Sequence, residues 1–117
     1  MWEVQPSNQW EKDVKRYAKK HPRELAAILN NLERYLSQLE VAPNARAASI
    51  QGFLHPEPGG VVAVDQKGSG ANNLQETRAY TYADEAQKVL HLITIGNKDM
   101  QANDILISRR FVQDLTS

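Results

Sequence analysis

Apolar residues fall along this chain in two rhythms, and the changes between them mark out its elements. Trp2 and Val4 alternate with polar neighbours before Pro6, which predicts a short first strand, because proline has no N–H to give the ladder. Next, Trp10, Val14, Tyr17 and Ala18 recur at helical steps. Asn8 stands three residues before Glu11, an imperfect capping box that would satisfy free N–H groups where this helix begins. The helix should stop near His21, since Pro22 disfavours helical geometry at the residue before it. Pro22 itself suits the first turn of a second helix, where its missing N–H costs nothing. Leu25, Ile28, Leu29, Leu32, Tyr35, Leu36 and Leu39 then carry the strongest periodic signal in the sequence, and Pro43 marks its end. Two amphipathic helices joined by so short a link are expected to pack antiparallel, each with an apolar stripe in need of a shared partner.

Beyond Pro43 the rhythm shortens. Gly52, Pro56, Pro58, Gly59 and Gly60 punctuate a stretch that reads as loop, with an edge strand at most around Phe53 and Leu54. Val61 to Gln66 is rich in β-branched residues and reads as a strand, and Lys67 to Asn73 as a polar, glycine-containing loop. From Leu74 to Tyr82 the residues alternate, so that Glu76, Arg78, Tyr80 and Tyr82 share one face and Thr77, Ala79 and Thr81 the other. Val89 to Ile95 is an unbroken apolar run, as expected of a central strand covered on both sides, with Ala83 to Lys88 as the hairpin loop before it. Ile107, Phe111 and Leu115 step by four, predicting a C-terminal helix from about Met100. The fold class that follows is α+β: an N-terminal two-helix hairpin packed on a small antiparallel sheet, with a C-terminal helix, all in one domain spanning residues 1–117.

Composition narrows the function classes. The chain has no cysteine, so it has no disulfide framework, thiolate nucleophile or cysteine-held metal. Its start lacks the basic region and apolar run of a signal peptide, and no segment has the length of an apolar span, which makes a soluble, cytoplasmic protein the expectation. Fourteen Lys plus Arg balance fourteen Asp plus Glu, which argues against avid, non-specific binding of a polyanion. Locally, Lys12, Lys15, Arg16, Lys19 and Lys20 still make the first helix basic.

The element order, together with two local segments, resembles the RelE, ParE and HigB toxins. Glu76-Thr77-Arg78-Ala79-Tyr80-Thr81-Tyr82 is similar to the strand that carries an arginine and aromatic residues onto the open face of their sheet. Leu90 to Gln101, with Lys98 and Gln101 three apart and Asp104-Ile105 after them, resembles their last strand and the turn into the final helix in HigB-like members. The resemblance implies a type II toxin: a metal-independent endoribonuclease that cuts messenger RNA, often on the ribosome, and is silenced by a bound antitoxin protein. It implies no cofactor and no membrane partner. Asp104 lies near where RelE-like nucleases would carry a tyrosine in the C-terminal helix, which weakens the RelE label more than the superfamily. A toxin-like binding protein without nuclease activity, such as a gyrase inhibitor of the ParE kind, is the alternative.

Cleavage by a ribose 2′-oxygen needs a base for that oxygen, a cation for the phosphorane and a donor for the leaving 5′-oxygen. Arg78 can grip a phosphate through two parallel donors while staying charged; its plainer reading is a surface arginine paired with Glu76. Lys98, at a strand end after Gly96-Asn97, is the second cation, or an ordinary turn lysine. His55 is the candidate base, or a solvated loop histidine. Gln101 is a candidate donor to phosphate or base, or a polar helix start. Tyr80 and Tyr82, with Lys67, are the expected RNA contacts, the rings stacking on bases unless they only cover the sheet. His91 reads as a core or cross-strand histidine and His21 as a helix terminus. Neither a metal site, from His55 with Glu57 or from Asp65 alone, nor a phosphate loop at Gly68 and Gly70 has the required spacing.

Overall fold

The apolar run near the end of the chain becomes β5 (Val89–Asn97), buried along seven of its nine residues because both its faces are covered. The computed structural model describes residues 1–117. Around β5 lie β1 (Glu3–Pro6), β2 (Leu54–Pro56), β3 (Val61–Asp65) and β4 (Thr77–Asp84), in the order β1-β5-β4-β3-β2. β2, β3, β4 and β5 pair antiparallel, whereas β1 runs parallel to β5, with Glu3 opposite Val89 and Pro6 opposite Leu92. The sheet is therefore mixed, not antiparallel as expected. Alternation in a sequence says which side chains share a face; it carries no information on the direction of the neighbouring strand.

One face of the sheet holds α1 (Asn8–Lys20) and α2 (Pro22–Val41), separated by His21 alone. Trp10, Tyr17, Leu25, Ile28, Leu32 and Tyr35 join Val62, Val64, Ala79, Leu90 and Leu92 in one apolar cluster. Ile28 is fully enclosed there, worth about 2 kcal/mol over leaving it in water. Several details depart from the expected stripes. Ser7, not Asn8, caps α1, accepting from the Trp10 N–H at 3.0 Å while its own hydroxyl donates to the Ile93 carbonyl at 2.7 Å. Ala18 and Leu29 face solvent, and Asp13 is buried instead. β1 ends opposite Leu92, and just beyond it the Asp13 carboxylate accepts from the Ile95 N–H at 2.9 Å and the Thr94 hydroxyl at 2.7 Å. A buried acid thus satisfies a strand edge that β1 is too short to reach.

The opposite face is covered by α4 (Gln101–Thr116), reached from β5 through a 3-10 turn at Lys98–Met100. Its period is as expected but its phase is not. Asp104, Ser108 and Val112 point inward, while Ile107 and Leu115 are partly exposed. Val112 packs with Val61, Ala63, Tyr80 and Ile93. A four-residue helix, α3 (Ala45–Ala48), occupies part of the stretch read as loop, and β2 is the edge strand expected near Phe53 and Leu54. β4 begins three residues later than expected and runs on to Asp84, leaving a turn that Lys88 closes with a positive φ of 56°. A register shift between Tyr80 and Thr81 pairs them with Thr94 and Leu92, leaving Ile93 as an extra residue on β5. No helix is long and apolar enough to cross a membrane.

Candidate functional site

β2 and β3 form a hairpin in which His55 sits opposite Ala63. Asp65 lies two residues further along β3 and so shares that face, and it is opposite Arg78 on β4. Register alone thus brings an imidazole, a carboxylate and a guanidinium together at the rim of the α4 face. His55 Nε2 lies 3.3 Å from Asp65 Oδ2, and Arg78 Nε lies 3.8 Å from the same oxygen. Asp65 is wholly buried and held rigidly: its Oδ1 accepts from the Lys67 N–H at 3.0 Å, and its carbonyl accepts from the Asn31 amide at 2.7 Å. Two further acids approach Arg78, with Glu57 Oε1 at 4.0 Å from Nη1 and Glu76 Oε1 at 3.8 Å from Nη2. Gln101, at the start of α4, donates to Glu76 Oε1 at 3.4 Å.

These separations decide what Arg78 can do. At 3.8 to 4.0 Å the three carboxylates hold the guanidinium electrostatically, but beyond the length of a good hydrogen bond. The Nε atom is buried with no hydrogen-bond partner. The guanidinium is thus held among three carboxylates with its enclosed Nε unbonded, and 18% of its side chain still meets solvent.

The other expected site residues divide. Lys98 follows Asn97, which is opposite Thr77, so it leaves the sheet at the Glu76 end of the cluster, exposed and without an ion pair. Tyr82 lies four residues from Arg78 on the same strand, about 13 Å along it. It is half-buried, stacked on His91 with centroids 6.2 Å apart. Tyr80 is fully buried beneath α4. The face expected to be open is closed at that ring, which cannot stack on a base. Burial, with the nearby Asp104 charge, pushes its phenol up to about 12, so it is no proton acceptor near neutral pH. Lys67 gives its N–H to Asp65, but its exposed side chain belongs to a separate hollow with Arg34 and Phe53. His91 is buried against Tyr82 and Phe111, and desolvation lowers its pKa; His21 stands between α1 and α2.

No protein-family model matches the chain, and no curated protein matches it.

In chemical terms the cluster joins an imidazole and a guanidinium through one buried carboxylate oxygen. If Nε2–H of His55 donates to Asp65, Nδ1 is left as the free lone pair. No group of three His, Asp or Glu side chains is arranged to hold a metal ion. Asp65 is the residue that inspection of single motifs passes over. Its signal lies in strand parity: Val61, Ala63 and Asp65 share a face, so an acid closing that strand must meet whatever the hairpin partner presents at His55.

Proposed function

We propose that this chain is a RelE/ParE/HigB-like toxin of a type II system, with the two N-terminal helices as the family's hairpin on the sheet, and that it cleaves messenger RNA without a metal. The observation that carries the proposal is the His55–Asp65–Arg78 cluster, an imidazole 3.3 Å from a buried carboxylate that also faces a partly exposed guanidinium. His55 Nδ1 takes the proton of a ribose 2′-hydroxyl. That oxygen bonds to the adjacent phosphorus while the bond from phosphorus to the 5′-oxygen breaks, leaving a 2′,3′-cyclic phosphate and a 5′-hydroxyl. Arg78 stabilises the negative charge that builds on the phosphorane, helped by Lys98. The Lys98 ammonium or water protonates the leaving oxygen, and Gln101 hydrogen-bonds the substrate. An antitoxin protein is the expected partner, and the ribosome the expected place of cleavage.

A second reading keeps the fold without the nuclease, and one observation favours it. Glu57, Asp65 and Glu76 outnumber the single guanidinium they surround, so a phosphate must displace at least one carboxylate to reach Arg78. Induction in bacteria followed by primer extension on cellular transcripts separates the two readings. The nuclease leaves new RNA 5′ ends, and Arg78→Ala removes them together with the growth arrest, lowering cleavage by about 10²- to 10³-fold. Growth arrest with no new ends would support the binding protein instead.

A further inference from the structure

Beside the cluster, on the far side of Glu57, a cavity of about 370 Å³ opens between α3, α2 and the β2–β3 connection. From its lining we infer that it is a guanine subsite, which deepens the nuclease reading and rests on it for the identity of the attached ribose phosphate. The volume falls at the lower end of the range for small-molecule pockets, about 300 to 1,000 Å³. Its aromatic wall is Tyr82, held from behind by His91 and closed over Gly60, where an added Cβ would come 3.1 Å from the ring. Unstacked bases are commonly received by such a surface.

Two polar side chains, Arg46 and Glu57, face a ligand in this cavity, and Tyr35 is enclosed behind its wall. Arg46 is exposed, makes no ion pair and lies on α3. Tyr35 is fully buried, and its hydroxyl meets no partner. Burial pushes that phenol up to about 12, so it stays protonated at neutral pH. Glu57 supplies a carboxylate, with only Oε1 turned to Arg78. Guanine matches this set better than the other bases. Its O6 and N7 acceptors suit a guanidinium, the commonest specific protein contact to any base. Its N1–H and N2–H₂ donors on the neighbouring edge suit a single carboxylate. Adenine and cytosine each place an unprotonated ring nitrogen beside their amino group, so neither can give a carboxylate two donors. Glu57 belongs to both the cavity and the cluster, so a base seated here is next to the Arg78 guanidinium.

Calorimetric titration of the full chain with guanosine, adenosine, cytidine and uridine 3′-monophosphates tests this directly. The guanosine nucleotide should bind about tenfold or more tightly than the others, the discrimination expected of one good bidentate pair. Arg46→Ala should erase that preference, and Arg46→Lys should recover only part of it. Glu57→Gln, which replaces one of two acceptor oxygens by a donor, should lower guanosine affinity while the chain stays folded by circular dichroism. Equal affinity for all four nucleotides, or binding of none, overturns the subsite. Guanosine-selective binding in a protein that leaves no new RNA ends keeps the subsite and discards the nuclease. Cleavage with no preference beside guanosine does the reverse.

Discussion

At position 104 a carboxyl group is buried with Oδ2 unpartnered, packed so closely over Gly96 that a Cβ there would collide with it. Burial, and then the neighbouring Asp13 charge, raises its pKa from 3.8 to about 6. That rise corresponds to about 3 kcal/mol of preference for the neutral over the charged form. Since the folded value is above the unfolded one, this stabilisation is fully present below about pH 4 and is lost as pH climbs through about 6. Asp104→Asn should therefore stabilise the fold at pH 8, by up to about 3 kcal/mol, and change little at pH 4. His91 contributes with the opposite sign, because desolvation lowers its pKa and protonation on acidification opposes burial. Urea unfolding of both proteins at both pH values isolates Asp104 by difference, and an equal effect at the two pH values would refute the assignment. Nothing in the sequence announced this residue as buried. An acid at a helix start is the ordinary preference of the first turn, and only Gly96 hinted that something must approach the strand closely. His55 and Arg78, by contrast, were identifiable as single residues; what could not be read was the partner, since Asp65 becomes one through cross-strand register.

Individual elements were legible in proportion to their length. α1, α2, β3 and β5 follow from periodicity, because each commits many residues to one pattern. β2, three residues long, and α3, four residues long, carry too few positions for any period to emerge. α4 shows a different failure. Ile107, Phe111 and Leu115 have the right spacing and Phe111 does pack against the core, yet the buried positions are Asp104, Ser108 and Val112, so a rule that puts polar residues outside selects a face turned partly away from the sheet. The inward stripe contains unpaired polar atoms, Asp104 Oδ2 and Ser108 Oγ, over the buried hydroxyl of Tyr80. Burying an unbonded hydroxyl is costly, and its removal is neutral or favourable. Ser108→Ala should accordingly leave stability unchanged or raise it by up to about 1 kcal/mol, whereas Leu106→Gln, at a position 63% exposed, should stay within about 0.5 kcal/mol of the parent. If Ser108→Ala instead costs more than about 1 kcal/mol in urea unfolding, the hydroxyl has a partner in the folded protein.

Across the whole molecule, charge limits how any polyanion can be held. Fourteen basic side chains balance fourteen acidic ones, and the cluster is locally richer in acid, where Arg78 stands among Glu57, Asp65 and Glu76. Binding of RNA here should consequently be selective and weakly dependent on salt. Two phosphate-facing cations imply that log affinity for a single strand falls with log salt at a slope of about −1.4. A slope of −4 or steeper, measured by fluorescence anisotropy with a short labelled RNA, would require a broad basic surface such as the Lys-rich side of α1 and would move the binding site away from Arg78. Glu76→Gln makes the same argument testable from the opposite direction. It removes the charge nearest Nη2 while keeping an acceptor for Gln101, so RNA should bind more tightly with an unchanged slope, because the number of phosphates neutralised is the same. Should Glu76→Gln weaken binding instead, the carboxylate positions Arg78 rather than competing for it, and the acid surplus becomes part of how the guanidinium is presented.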